Sequence, residues 1–131
     1  MSGETRVASG ETRHYRDLLV WQKAVVWVES VYKVTGTWPS EERFGLTSQI
    51  RRAAVSIPSN IAEGCTRRST GDFVRFLLIA KSSLAEAETQ LIIAGRLAYI
   101  DTAQQSALLD AADEVSRMIA GLINKLEERR S

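Results

Sequence analysis

Four stretches of the sequence place apolar residues at alternating spacings of three and four, and glycine, proline or helix-capping residues separate them. Such spacing gathers side chains on one face of a helix with about 3.6 residues per turn, and no run alternates apolar and polar as a half-buried strand would. The chain therefore reads as all-α. With 131 residues, 44% of them hydrophobic, it has the size of one domain whose core needs neither disulfide nor metal.

The first stretch begins at Asp17, a candidate N-cap, and sets Leu18, Trp21, Val25, Val28, Tyr32 and Thr35 along one seam. Gly36 suits a left-handed C-terminal residue and Pro39 disfavours helix before it, so a first helix over 17–35 is expected. Leu46, Ile50, Ala53 and Ile57 form the seam of a second helix, which Pro58 should kink or break and Gly64 should end. Ser69-Thr70-Gly71-Asp72 opens a third with a capping-box-like start. Its seam of Phe73, Leu77, Ala80, Leu84, Ala87, Leu91, Ala94 and Ala98 alternates Leu with Ala, and such a helix spans on the order of 40 Å. Asp101-Thr102-Ala103-Gln104 starts a fourth, with Leu108, Ala112, Val115, Ile119, Leu122 and Leu126 inward and an end near Glu128. Four helices with short connections pack most simply as an antiparallel up-down-up-down bundle.

Residues 1–16 contain a polar direct repeat, Ser2-Gly3-Glu4-Thr5-Arg6 and Ser9-Gly10-Glu11-Thr12-Arg13, and are expected to form a flexible tail ahead of a helical domain over 17–131. The polar start does not resemble a signal peptide, and no apolar run approaches the roughly 20 residues of a membrane span. A single cysteine, Cys65, excludes an internal disulfide, and a single histidine, His14, leaves no Cys/His metal set. A cytoplasmic protein with no cofactor and no metal is the expectation.

The first helix carries a second apolar stripe, Val20, Ala24, Trp27 and Val31, about 100° from its seam. The third adds Val74, Leu78, Ile79, Ile92 and Ile93 outside its own. That is more apolar arc than one bundle interior needs, so self-association is expected, with Val20, Ala24, Trp27, Val31, Leu78 and Ile92 as interface candidates.

Lys+Arg at 17 against Asp+Glu at 16 gives a net charge of +1, so any basic surface must be local. Between residues 39 and 68 five arginines stand against three glutamates. Arg43, Arg51, Arg67 and Arg68, with Lys81, are the candidates for contact with phosphate, whose oxygens a guanidinium fork bonds in pairs. Arg52, next to seam residue Ala53, is instead expected to be partly buried and paired with Glu86 or Glu88. Asn60 continues the second seam, where it either fixes register through a buried hydrogen bond or repairs the carbonyls that Pro58 frees. Glu63 and Glu86 lack an accompanying nucleophile, histidine or Gly-rich loop, which argues for a structural role and against an enzyme. Trp38 and Phe44 are expected to cap one bundle end, and Cys65 to be an unreactive thiol.

Several blocks in order resemble a known family. They are Asp17-Leu18-Leu19-Val20-Trp21-Gln22-Lys23-Ala24, then Phe44-Gly45-Leu46-Thr47-Ser48-Gln49-Ile50-Arg51-Arg52-Ala53-Ala54, then Ser56-Ile57-Pro58-Ser59-Asn60-Ile61-Ala62-Glu63-Gly64, and finally Ser83-Leu84-Ala85-Glu86-Ala87-Glu88-Thr89-Gln90-Leu91. Over about residues 15–100 the chain is similar to the four-helix-bundle proteins encoded in intervening sequences of bacterial large-subunit ribosomal RNA genes. The resemblance implies an up-down bundle assembling into a ring-like homopentamer. It also implies kinship with the accessory bundles of diversity-generating retroelements, which work with a reverse transcriptase and nucleic acid. The expected function is a non-enzymatic homo-oligomer that contacts RNA or DNA through an arginine-bearing end. The alternative is a protein-interaction scaffold or accessory subunit that binds a protein partner and no nucleic acid.

Overall fold

The computed structural model describes residues 14–130, and all regular structure among them is helical. Four long helices follow one another: α1 Leu19–Thr35, α2 Leu46–Cys65, α3 Thr70–Arg96 and α4 Thr102–Arg130. Single 3-10 turns at Tyr15–Asp17 and Ser40–Glu42 precede α1 and α2. Each helix packs on the next, and α4 closes on α1 around one core.

Helix boundaries follow local chemistry. Asp17 does not cap α1, because it lies in the first 3-10 turn and Leu18, in extended conformation, takes the cap position. Gly36 ends α1 in a right-handed conformation (φ −62°), not the expected left-handed one, and its N–H still reaches the Tyr32 carbonyl at 3.1 Å. At α3 the expected cap is present, with Ser69 Oγ accepting from the Asp72 N–H at 3.0 Å. Asp101 Oδ1 does the same for Gln104 at 2.7 Å. The left-handed residue is Ala98 (φ 63°), which was expected to extend the α3 seam and instead lies exposed past its end. The Tyr99 N–H bonds the Ala94 carbonyl and the Ala98 N–H that of Gly95, closing α3 as a Schellman motif without glycine.

α2 runs unbroken through Pro58 to Cys65. Beside the proline, Asn60 Nδ2 donates to the Ser56 carbonyl at 2.8 Å and to Ser56 Oγ at 2.9 Å. Ser56 Oγ in turn meets Ser83 Oγ on α3 at 2.9 Å. Ser56, held by Asn60, thus ties α2 to α3, and the carbonyl that Asn60 bonds is Ser56's, not that of Ala54, which Pro58 has no N–H to meet. One residue before the end of α2 the helix comes close to α3, since a Cβ on Gly64 would stand 2.7 Å from that of Phe76. Only glycine fits there. Gly95 is crowded in the same way by the Gln105 side chain, whose Nε2 donates to the Leu91 carbonyl at 2.8 Å and joins α3 to α4.

The seams of α2, α3 and α4 are found as expected, with Ile50, Ala53, Ile57, Leu77, Leu84, Leu91, Ala112 and Ile119 among the core residues. α1 is rotated. Val20, Ala24, Trp27 and Val31, the expected interface residues, are 0–5% exposed and form the core stripe. Trp21, Val25, Val28 and Tyr32 lie one residue further on, a turn of about 100°, and face outward or to the rim. Trp27 decides the rotation. Its large ring is buried and its indole N–H finds the Leu108 carbonyl of α4 at 3.0 Å. Lys23 and Glu114, 3.2 Å apart, mark the same α1–α4 approach.

Candidate functional site

The arginines expected at one end of the domain occupy two. Arg43, Arg51 and Arg52 stand around the start of α2, while Arg67 and Arg68 follow its end, and Arg51 and Arg67 are separated by roughly 24 Å at 1.5 Å rise per residue. Lys81 is exposed on α3.

At the far end, the charge of Arg67 is already engaged. Arg67 bonds Glu63 at 2.8 Å, both half exposed, and its guanidinium lies 4.8 Å from the Phe76 ring centroid. Arg75 covers the same ring at 4.6 Å. Arg68 is exposed. Cys65, next to this turn, is buried in the core.

Around the start of α2 the arrangement differs. Phe44, expected to cap the bundle, is 88% exposed, more than any other large hydrophobic side chain described. Trp38 does fill that end, 7% exposed, with its ring 6.1 Å from Tyr99. Arg51 donates from Nε to Thr35 Oγ1 at 2.9 Å and from Nη2 to the Tyr32 carbonyl at 3.3 Å, and stacks 4.4 Å over the Tyr32 ring. It therefore caps the C-terminal end of α1 while keeping its charge in place. Arg43 lies 5.4 Å over Phe44. Together with Thr47, Ser48, Arg52 and Val55 these residues line an open groove of about 510 Å³.

Arg52 is exposed and forms no ion pair with Glu86 or Glu88, contrary to expectation. Glu86 faces a neighbouring groove that Arg52 and Phe44 also line, and Glu88 turns toward α4. Burial, and secondarily the charge of Asp113, push the Glu88 carboxyl above its ordinary range. Glu42 behaves oppositely. Its carboxylate accepts from the Leu46 N–H at 3.0 Å and from the Tyr99 hydroxyl at 2.9 Å, which holds its pKa down and raises that of Tyr99. Glu63 and Glu86 are not brought together. With Gly64 against Phe76 and Ser56 against Ser83, they lie on the order of 15 Å apart along the helices.

A second groove, about 420 Å³ and mostly apolar, runs between α1 and α2 and is lined by Tyr15, Trp21, Val25, Val28, Val55, Pro58 and Ala62. Tyr15 meets Trp21 edge-on at 5.2 Å, so the 3-10 turn closes one end. Residues 14–16, assigned to the polar tail, thus pack here in part, while residues 1–13 lie outside the described residues. On α3, Leu78, Ile79, Ile92 and Ile93 are 38–50% exposed, as expected, whereas Val74 is buried.

The family described as 23S rRNA-intervening sequence protein matches residues 16–121. The chain belongs to this family. A crystal structure of a protein with unknown function from the S23 ribosomal protein family of Bacteroides thetaiotaomicron VPI-5482 is similar to this chain with a TM-score of 0.75 and 25% identity, over 81% of this chain and 96% of that one. Among curated proteins none matches. Among its described residues, no helix is long and apolar enough to cross a membrane.

The sequence assigns Phe44 to a bundle end and gives no role to Glu42 or to buried Gln90. Phe44 carried a signal, because it precedes Gly45 and falls outside the Leu46–Ile50–Ala53–Ile57 register.

Proposed function

We propose that this protein is a non-catalytic homo-oligomeric scaffold of the cytoplasm. The observation that carries the reading is the outer face of α3. Leu78, Ala85, Thr89, Ile92 and Ile93 fall within about 50° of the direction away from the core, counted at 100° per residue. Thr89 returns its hydroxyl to the Ala85 carbonyl at 2.9 Å and so presents its methyl. The face is interrupted by exposed Ser82, but large apolar side chains left in water at both ends of one helix face mark a surface made for contact.

Its occupant is a second copy of the chain. The α1–α2 groove supplies a concave apolar surface on a different side of the same molecule, and a strip entering a groove is a heterologous contact that closes into a ring when the rotation allows. The five-subunit count rests on the resemblance. The up-down-up-down course within each subunit is supported by contacts whose numbering runs in opposite senses, Lys23 with Glu114 and then Trp27 with Leu108. The buried thiol of Cys65 suits a reducing compartment. Catalysis has little to work with in open grooves where Glu63 and Glu86 stand far apart.

Light scattering coupled to size exclusion tests the assembly. The full chain should elute as an oligomer, and Leu78→Asp with Ile92→Asp should give a monomer of unchanged helicity. A monomeric wild-type mass at micromolar concentration would contradict the reading.

A further inference from the structure

The start of α2 carries a feature that assembly through α3 leaves unused. Phe44 exposes 88% of its surface beside a turn that the Glu42 hydrogen bonds tie to Leu46 and Tyr99, so an aromatic ring is presented to water. Arg43 stacks on it at 5.4 Å. Arg52 lines the grooves on both sides of Phe44 and makes no hydrogen bond or ion pair with any described residue. Arg51 adds a third positive charge, immobilised over Tyr32.

The nearby acids favour one side. Glu41 and Glu42, on the preceding 3-10 turn, line neither groove. Glu86 lines only the groove on the α3 side, so the groove bounded by Tyr32, Arg43, Arg51 and Arg52 is the one open to anions. An exposed ring flanked by free guanidinium forks matches a ligand that alternates flat aromatic groups with phosphates.

We propose that this groove binds single-stranded nucleic acid, with a base stacked on Phe44 and the adjoining phosphates held by Arg43 and Arg52. Duplex is a poor fit, since its base faces are already stacked on one another. The site is complete within one chain, and it stands or falls independently of the ring.

Fluorescence anisotropy with labelled short oligouridylate and oligothymidylate on the full chain tests it, and binding of either strand counts in favour. Phe44→Ala should weaken binding about 5- to 150-fold, the span of one base–aromatic stack. Arg43→Ala with Arg52→Ala should weaken it further and flatten the salt dependence of log affinity by about 1.4, for two single-strand phosphates. Arg67→Ala with Arg68→Ala should leave it unchanged. All the substituted side chains are at the surface, and circular dichroism checks that each variant keeps its helices. No binding by wild type at low salt would overturn the proposal, as would equal binding of duplex or a loss confined to the Arg67/Arg68 variant. If Phe44→Ala lowers the assembled mass and leaves oligonucleotide affinity intact, Phe44 is a contact between copies and the proposal fails.

Discussion

α1 has two apolar stripes of nearly equal strength, and the fold treats them in opposite ways. Val20, Ala24, Trp27 and Val31 are buried in the core, whereas Trp21, Val25, Val28 and Tyr32 line grooves that solvent reaches. Neither hydrophobicity nor spacing separates them, because each repeats at three or four residues. What separates them is polar bookkeeping and fit. The Trp27 indole N–H meets the Leu108 carbonyl only when its ring points inward, and Ala24 is buried on the same stripe. The stripe that loses the interior lines the α1–α2 groove instead.

Substitutions on the two stripes should therefore differ most at the tryptophans. Trp27→Ala removes a buried ring and its hydrogen bond, and should cost about 3–5 kcal/mol in urea unfolding. A cost below about 1 kcal/mol would place the ring outside the core. The inward side is also intolerant of added volume where α2 meets α3. Gly64→Ala brings a methyl group to 2.7 Å from the Phe76 Cβ and should cost about 1–3 kcal/mol by the same measurement. The smallest effect belongs to the rim beyond both stripes, where Glu42 clamps α2 to Tyr99. Its carboxyl is held below the ordinary 4.5, so its stabilisation is present above that value and fades as pH falls through the lowered one. The thermal midpoints of wild type and Glu42→Gln should differ at neutral pH and converge in acid. A gap that widens in acid would reverse the assignment.

Much of this architecture was legible in the sequence, for reasons that the same comparison explains. α3 and α4 each have a polar cap, Ser69 or Asp101, so their starts could be read directly, and most of each seam lies in the core. α1 could not, since its rotation depends on a contact with Leu108, 81 residues away. The arginines were found, but not their arrangement. Arg67 is engaged by Glu63 and Phe76, and Arg51 by the end of α1, while Arg52, expected to be paired, is exposed. Residue type names a candidate for phosphate, and only the neighbours decide whether its donors are spent.

The most direct test of the account sets one residue from each α1 stripe side by side, measuring unfolding midpoint and light-scattering mass for Val25→Asp and Val31→Asp. Val31 is fully buried, so its aspartate should abolish the folded state. Val25 lines the α1–α2 groove, so its aspartate should leave the midpoint close to wild type while reducing the oligomer to monomer. A folded Val31→Asp protein beside an unfolded Val25→Asp protein would contradict both the orientation of α1 and the role given to its outward stripe.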